Sequence, residues 1–261
     1  MFDFHIHSSV SFDSETPALD IAHAAKHAGL KEICFTDHWD YHSYPDEDHD
    51  LFSLDEYSKA YDLLEVEDLT IRRGVEYGLT DWNIPHCNEL LSKRKFDFVI
   101  GSVHYVDGYD PYYPYFWESM SVEKAYGRYL EKTLECVKVH SNFDVLGHLT
   151  YVCKSQHNPS GKPVMYNDYK EISDEIMKIL VAKGKGMEIN TSGVDRTGDF
   201  LPPKEFLVRF KELGGEIVTI GSDAHTPDRV GQHVDAGLEI LRDVFGYVCT
   251  FSERTPVFHK L

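Results

Sequence analysis

Short apolar runs alternate with amphipathic stretches along almost the whole chain. Apolar runs of about four to eight residues are typical of buried strands, whereas apolar residues recurring every three or four positions predict helices. Strands that alternate with helices form parallel βαβ units, and a series of such units predicts a closed or nearly closed barrel. The pattern predicts about seven barrel strands, within residues 2–9, 31–36, 69–78, 96–103, 143–147, 186–190 and 216–222, and a short last strand at 247–251. The predicted helices lie at 18–29, 54–65, 83–94, 122–140, 169–183, 203–213 and 230–245.

Imidazole and carboxylate side chains stand at the ends of most predicted strands. His5 and His7 are two residues apart, so in an extended strand they share one face. Taken alone, this pair fits an edge strand with two structural histidines as well as a metal site. The active sites of α/β barrels lie at the carboxyl ends of the strands, and imidazole is the commonest protein metal ligand. The repeated placement therefore predicts a metal centre at one rim, formed by His5, His7, His38, Glu76, His104, His148, Asp223 and His225.

Two other groups of residues are less specific. A long aromatic loop over 105–119 fits either a pocket wall or a lid that faces solvent. Nine further histidines fall on predicted helix faces, in loops or in the tail, and we expect them to be solvated: His23, His27, His42, His49, His86, His140, His157, His233 and His259.

The composition narrows the range of partners. Asp and Glu outnumber Lys and Arg by 44 to 26, for a net charge of -18, which argues against a broad surface for nucleic acid or an anionic membrane. The five cysteines lie far apart without a C-x-x-C motif, as is typical of free thiols in a reducing compartment. With no basic leader and no apolar stretch of about 18 residues, we expect a soluble cytoplasmic protein. The length of 261 residues fits one α/β barrel domain, and no linker or repeat divides residues 1–261.

The ordered motifs H-x-H, T-D-H, G-x-E, S-x-H, G-H and S-D-A-H resemble those of the PHP superfamily of metal-dependent phosphoesterases. Within it, the chain looks like the histidinol-phosphate phosphatase branch, from Phe2 to Phe258. The resemblance implies a distorted (β/α)7 TIM-like barrel, the PHP fold, with up to three divalent metal ions. Mixed imidazole and carboxylate ligands suit Zn²⁺, Mn²⁺ or Fe, and the choice among them stays open. The implied sets are His5, His7, Glu76 and Asp223 for one ion, Glu76, His104 and His148 for a second, and Asp13, His38 and His225 for a third.

The reaction implied by the resemblance is hydrolysis of a small phosphomonoester by a metal-bridging hydroxide. The ions would give an anionic substrate a positive target on an acidic protein. Lys154, Arg196 and Arg229 follow barrel strands by a few residues and are the predicted phosphate-binding side chains, with ordinary surface charge as the alternative. Lys154 stands where relatives commonly carry an arginine, so it offers a point charge instead of a bidentate fork. Asp13, Asp223 or a bound water would supply the proton that the leaving alkoxide needs.

The substrate implied by the resemblance is L-histidinol phosphate, hydrolysed to L-histidinol and phosphate in histidine biosynthesis. Its amine and imidazole would meet Glu118, Asp81 or the aromatic residues within 109–117. A related phosphoesterase for a nucleotide or a sugar phosphate is one alternative. A non-catalytic metal-binding or regulatory module is another, although such a module would be expected to lose some ligands. The oligomeric state stays open.

Overall fold

Seven parallel strands form a nearly closed barrel in the computed structural model, which describes residues 1–41, 50–118 and 120–261. In chain order the strands are β1 (Phe2–Ile6), β2 (Glu32–Phe35), β3 (His38–Asp40), β4 (Asp50–Leu51), β5 (Thr70–Gly78), β6 (Phe98–Ser102), β7 (Val145–Leu146), β8 (Gly186–Asn190), β9 (Val218–Gly221), β10 (Tyr247–Ser252) and β11 (Thr255–Lys260). The barrel order is β1-β2-β5-β6-β7-β8-β9. At the seam between β9 and β1, the Asp223 N–H donates to the His5 carbonyl at 2.7 Å. The predicted barrel class is confirmed.

Helices surround the barrel and share a large apolar core with the outer faces of its strands. They are α1 (Ala18–His27), α2 (Leu54–Tyr61), α3 (Ile84–Lys93), α4 (Pro114–Trp117), α5 (Val122–Val139), α6 (Lys170–Ala182), α7 (Val194–Thr197), α8 (Lys204–Glu212) and α9 (Val234–Val244). The short helices α4 and α7 were not predicted. The last helix begins later than the predicted residue 230, because His233 before it has a left-handed φ of 59°. Among the described residues, no helix combines the length and apolarity needed to cross a membrane.

A smaller apolar core fills the inside of the barrel below the rim. Strand alternation would put Phe4 and Ile6 on the same face, yet Phe4 lies in the inner core while Ile6 packs outward against the helices. The ladder between β1 and β2 shifts register between Asp3 and Ile6, as in a β-bulge. This irregularity lets Phe4 fill the barrel while His5, the next residue, also points inward.

A break after β2 lets the long strand β5 pair with two segments in turn. β2 pairs with β5 over Thr70–Arg73, and β3 then pairs with it so that His38 stands beside Glu76. The Asp37 carboxylate holds the break, because it accepts the Ser8 N–H at 2.7 Å. Residues 39–40 and 50–51, which lie between the predicted strand at 31–36 and the predicted helix at 54–65, thus belong to strands. Residues 42–49, with His42 and His49, lie outside the described residues.

An antiparallel hairpin of β10 and β11 closes the end of the barrel opposite the rim. It is held by Asp97, just before β6, whose carbonyl accepts the Arg254 N–H at 2.8 Å and whose carboxylate accepts the Glu253 N–H at 3.0 Å. The apolar pattern predicts β10 but not β11. β11 is largely exposed and contains Pro256, so it lacks the apolar pattern of a buried strand.

Phe251 of the hairpin plugs the barrel, and its removal is expected to destabilise the fold. The side chain is 2% exposed and its ring centroid lies 4.8 Å from that of Phe98. Phe251→Ala would leave a cavity in the inner core, and we expect the free energy of unfolding in urea to fall by about 3–5 kcal/mol. Phe258→Ala on the exposed face of β11 is the matched control, with an expected change below about 1 kcal/mol. Equal losses of unfolding free energy in the two variants would contradict the stabilising role of Phe251 in the inner core.

Candidate metal centre

Glu76 of β5 lies at the centre of the rim and is fully buried. Its two carboxylate oxygens face different groups of imidazoles. Oε1 lies 2.8 Å from Nε2 of His148 and 3.3 Å from Nε2 of His104. Oε2 lies 3.0 Å from Nε2 of His5 and 3.2 Å from Nδ1 of His38. One carboxylate can therefore serve two neighbouring cation positions.

Asp223 also uses its two oxygens on opposite sides. Oδ1 lies 3.4 Å from Nε2 of His7 and 3.8 Å from Nε2 of His5. Oδ2 accepts a hydrogen bond from the Lys154 ammonium at 2.7 Å and one from the Ser192 hydroxyl at 3.2 Å. The backbone at Asp223 is left-handed, with a φ of 54°. The predicted phosphate-binding Lys154 is thus already an ion-pair partner of a predicted ligand.

Asp13 joins the centre from the loop after β1. Its Oδ2 lies 3.0 Å from Nε2 of His225 and 3.6 Å from Nε2 of His38. The ring of His7 stacks on the ring of His225 with centroids 4.0 Å apart. All nine residues predicted as ligands therefore come together at the rim, although Asp13 is the most exposed of them, with 36% of its side chain accessible.

The donor set fits divalent metal ions. Several combinations bring three donor atoms within 4.8 Å of one another, and adjacent donors of a tetrahedral zinc site are separated by roughly 3.3 Å. Among the described residues, Nε2 of His7 and Nδ1 of His38 are buried without a hydrogen-bond partner, which is costly unless another group satisfies them. The clustered donor atoms of the described residues at this rim therefore support divalent-metal binding. The combinations are His7, His38 and His225; His5, Glu76 and His148; His5, His7 and Asp223; and His38, Asp40 and His104.

Electrostatics keep the central carboxylate ionised. Burial acts to raise the pKa of Glu76, but His5, His38 and His104 outweigh it and hold that pKa well below its ordinary value. Burial also lowers the pKa of His7 well below its ordinary value, and the neighbouring His225 and His38 add to this shift. A neutral imidazole beside an anionic carboxylate is the protonation state that metal binding requires.

Two carboxylates that the strand-end pattern does not single out hold the imidazoles of His5 and His104 in place. One carboxylate oxygen of Glu188, on β8, lies 2.7 Å from Nδ1 of His5. The other accepts a hydrogen bond from the backbone N–H of His148 at 2.8 Å. Asp40 of β3 lies 2.7 Å from Nδ1 of His104. In both pairs the other ring nitrogen faces Glu76, so the carboxylate fixes the orientation and tautomer of a ligand. A charged residue inside an apolar strand is the signal for Glu188, and the H-x-D spacing with His38 is the signal for Asp40.

Glu188 and His5 can approach each other because Gly221 of β9 carries no side chain. A Cβ at Gly221 would come within 2.6 Å of Glu188 Oε1 and would also collide with His5. The Asp37 carboxylate reaches His7 through the Ser11 hydroxyl and not directly. The Ser11 hydroxyl donates to Asp37 at 3.1 Å and lies 3.0 Å from Nδ1 of His7.

The metal centre lines a cavity of about 420 Å³. Lys154 and Arg229 are part of its lining, and Arg229 forms an ion pair with Asp195 at 2.6 Å. Arg196 is not part of that lining. Its guanidinium donates to the carbonyls of Ser155 and Asn158, at 3.3 and 3.0 Å, and so holds the loop after β7. The structure therefore brings two of the three predicted phosphate-binding side chains to the cavity.

Among the described histidines, His140 departs furthest from its predicted environment. His140, expected to be solvated, is 1% exposed, and its Nε2 lies 2.7 Å from the Thr80 carbonyl. It lies just past α5, which ends at Val139, one residue before the predicted end of the helix. This contact ties the end of α5 to the segment that follows β5.

The fold and the donor set define a TIM-like barrel protein with a divalent-metal centre rich in histidine. A comparison with protein families gives a match to the PHP domain over residues 3–192. The chain belongs to the PHP domain family, as the motifs suggest.

Individual relatives match over nearly the full length. The chain is 33% identical over 259 residues to a histidinol-phosphatase of Lactococcus lactis, covering 96% of this chain and 94% of that protein. It is 29% identical over 243 residues to a probable histidinol-phosphatase of Clostridium acetobutylicum, covering 93% of each. Among solved structures, the L. lactis histidinol phosphate phosphatase complexed with zinc, L-histidinol and phosphate matches with a TM-score of 0.86 and 28% identity over 98% of both chains.

Proposed function

We propose that the protein is a divalent-metal-dependent phosphomonoester hydrolase that converts L-histidinol phosphate to L-histidinol and phosphate. The observation that carries the proposal is the likeness, over 98% of both chains, to a phosphatase whose crystal structure holds zinc, L-histidinol and phosphate. Relatives named as histidinol-phosphatases match over more than nine-tenths of their length. A cavity of about 420 Å³ suits a small phosphorylated substrate. The net charge of -18 argues against nucleic acid as the substrate.

We further propose up to three cation positions, filled by Zn²⁺, Mn²⁺ or Fe. Support comes from the way Glu76 divides its oxygens between His5 on one side and His104 and His148 on the other. Asp13 makes the corresponding close approach to His225. The three positions would be held by His5, His7, Glu76 and Asp223; by Glu76, His104 and His148; and by Asp13, His38 and His225.

Divalent ions at these positions would lower the pKa of a bound water and neutralise the phosphoryl oxygens. The side chains of the cavity wall orient the ester. Lys154 has three N–H donors, of which Asp223 takes one, so it can also donate to a phosphate. Arg229 has five N–H donors, and its pairing with Asp195 fixes the guanidinium at the rim. Arg196 would need to release its carbonyl partners first, which makes it the least suited of the three.

Asp13 and Asp223 are the proposed groups for moving the proton to the leaving alkoxide. Burial acts to raise the pKa of Asp13, but His38 and His225 reverse this and hold it well below the ordinary value. Burial is likewise outweighed at Asp223, where Lys154 and His5 lower the pKa. Both groups are therefore anions at neutral pH. Both also line the cavity, where an anionic carboxylate can hold and orient the water that gives its proton to the departing oxygen.

A substrate panel tests the proposal. Purified protein supplied with Zn²⁺ or Mn²⁺ is assayed for phosphate release from L-histidinol phosphate, a nucleotide and a sugar phosphate. We expect kcat/KM for L-histidinol phosphate to exceed that of the other esters by about 100-fold or more. Preference for another ester would overturn the substrate and keep the reaction class. Failure to hydrolyse any ester would favour a non-catalytic metal-binding module.

A further inference from the structure

The segment between β6 and α4 lines one part of the cavity wall with an acidic residue set among aromatic rings. Asp110, Tyr112 and Tyr113 line the cavity here, together with Tyr105 and Tyr151. The acidic residues suggested by the sequence are elsewhere, since Glu118 and Asp81 are not part of the lining. Asp81 forms an ion pair with Lys132 at 2.9 Å on the outside of the barrel. Asp110 is therefore the acidic group of this wall.

One oxygen of Asp110 is held in place and the other has no hydrogen-bond partner among the described residues. Oδ1 accepts the Tyr112 N–H at 2.7 Å and the Tyr151 hydroxyl at 3.2 Å. No lysine, arginine or histidine of the described part of the chain lies within ion-pair distance of the carboxylate. An anion that is partly buried and fixed without a cationic partner is costly, unless a ligand supplies the positive charge.

Tyr151 fixes the position of Asp110 relative to the metal centre. Its ring packs 5.0 Å from the ring of His148 and 5.4 Å from the ring of His104, while its hydroxyl donates to Asp110. One tyrosine side chain therefore separates the imidazoles of the rim from the Asp110 carboxylate. This spacing suits a short ligand that has its anionic end at the metal centre and a cationic group a few bonds away.

We infer that Asp110 is a specificity-determining residue that binds the protonated amine of the substrate, with the faces of Tyr112 and Tyr113 completing the site. This inference rests on the proposed function. Of the two basic groups of L-histidinol, the ammonium carries the charge at neutral pH, because an imidazole with a pKa of about 6.5 is largely neutral there. Aromatic faces also attract such a cation.

A matched pair of substrates tests the assignment. L-Histidinol phosphate is compared with its deamino analogue, 3-(imidazol-4-yl)propyl phosphate, using the metal-loaded enzyme. The native chain is expected to prefer the amine-bearing ester by about tenfold to a hundredfold in kcat/KM, mainly through KM. Asp110→Asn should remove that preference and leave kcat/KM for the deamino analogue within about twofold. Asp110→Glu, which keeps the charge, should retain part of the preference.

The control is Asp107→Asn, the same change in the same segment. Asp107 is exposed and paired with Arg128 at 2.6 Å, outside the cavity lining, so the substrate preference should stay as in the native chain. An unchanged preference for the amine-bearing ester in Asp110→Asn, or an equal loss of kcat/KM on both esters, would overturn the assignment of Asp110. Neither result would overturn the proposed function. Equal hydrolysis of both esters by the native chain would do the same. If the native enzyme hydrolysed neither ester, the proposed function would fail and the assignment with it.

Discussion

Replacing Glu76 by glutamine is expected to abolish hydrolysis while the chain stays folded. Both oxygens of Glu76 face imidazoles of the rim, at 2.8–3.3 Å. The change therefore removes a negative charge that lies between two groups of imidazoles, one facing each carboxylate oxygen. The amide keeps the shape, but its NH₂ group cannot coordinate a cation. We expect kcat to fall on the order of 1,000-fold, or about 4 kcal/mol of transition-state stabilisation, with a loss of bound metal measured by elemental analysis.

Glu32→Gln is the matched control for this variant. Glu32 is also a strand glutamate, but it lies at the start of β2 and pairs with Arg72 at 2.7 Å, far along the strand from the rim. Its substitution should leave kcat within about twofold and the metal content unchanged. Near-native activity of Glu76→Gln with native metal content would remove Glu76 from the centre. A Glu76→Gln chain that lost its circular dichroism signal would instead show that the residue is needed for folding.

The strand ends of the barrel are the part of the site that a sequence can reveal. A parallel barrel brings the carboxyl ends of all its strands to one rim, so His5, Glu76, His104 and His148 need only be recognised as ending strands for their meeting to follow. No side-chain packing has to be known for this step. The same argument explains why the alternation of strands and helices is enough to predict the barrel.

The partners of those ligands depend on packing that is not encoded locally. Glu188 of β8 reaches His5 of β1 over the intervening strand β9 because Gly221 leaves room, a relation between residues on three different strands. Arg196 lies at the expected distance after its strand, yet it faces the carbonyls of a neighbouring loop. Its direction is set by the short helix α7, which the pattern does not predict. Hydrogen-bond partners that are remote in sequence therefore define the limit of what the sequence can predict here.

Chelation of the metal is expected to lower both activity and thermal stability. Ions that bind only the folded chain stabilise it by about 4 kcal/mol when present at 1,000 times their dissociation constant. For a chain of this size we expect the midpoint of thermal unfolding to fall by about 8–16 °C after dialysis against a chelator. Activity should fall more than about 100-fold and return when Zn²⁺ or Mn²⁺ is added back. Glu76→Gln, which should already lack metal, provides the control, because its midpoint should respond much less.

The stability gap between metal-loaded and metal-free protein should widen as the pH rises above about 6.5. Burial acts to lower the pKa of His5, but Glu188, Glu76 and Asp223 raise it well above its ordinary value; Asp40 and Glu76 do the same for the buried His104. Above pH 6.5 the metal-free folded chain therefore binds more protons than the unfolded chain, so its stability falls as the pH rises. Metal ions displace those protons and bind more tightly over the same interval. Calorimetric unfolding of both forms at pH 6.5, 7.5 and 8.5 measures the gap, and a gap that stayed constant or narrowed would contradict a cluster of proton-linked metal ligands.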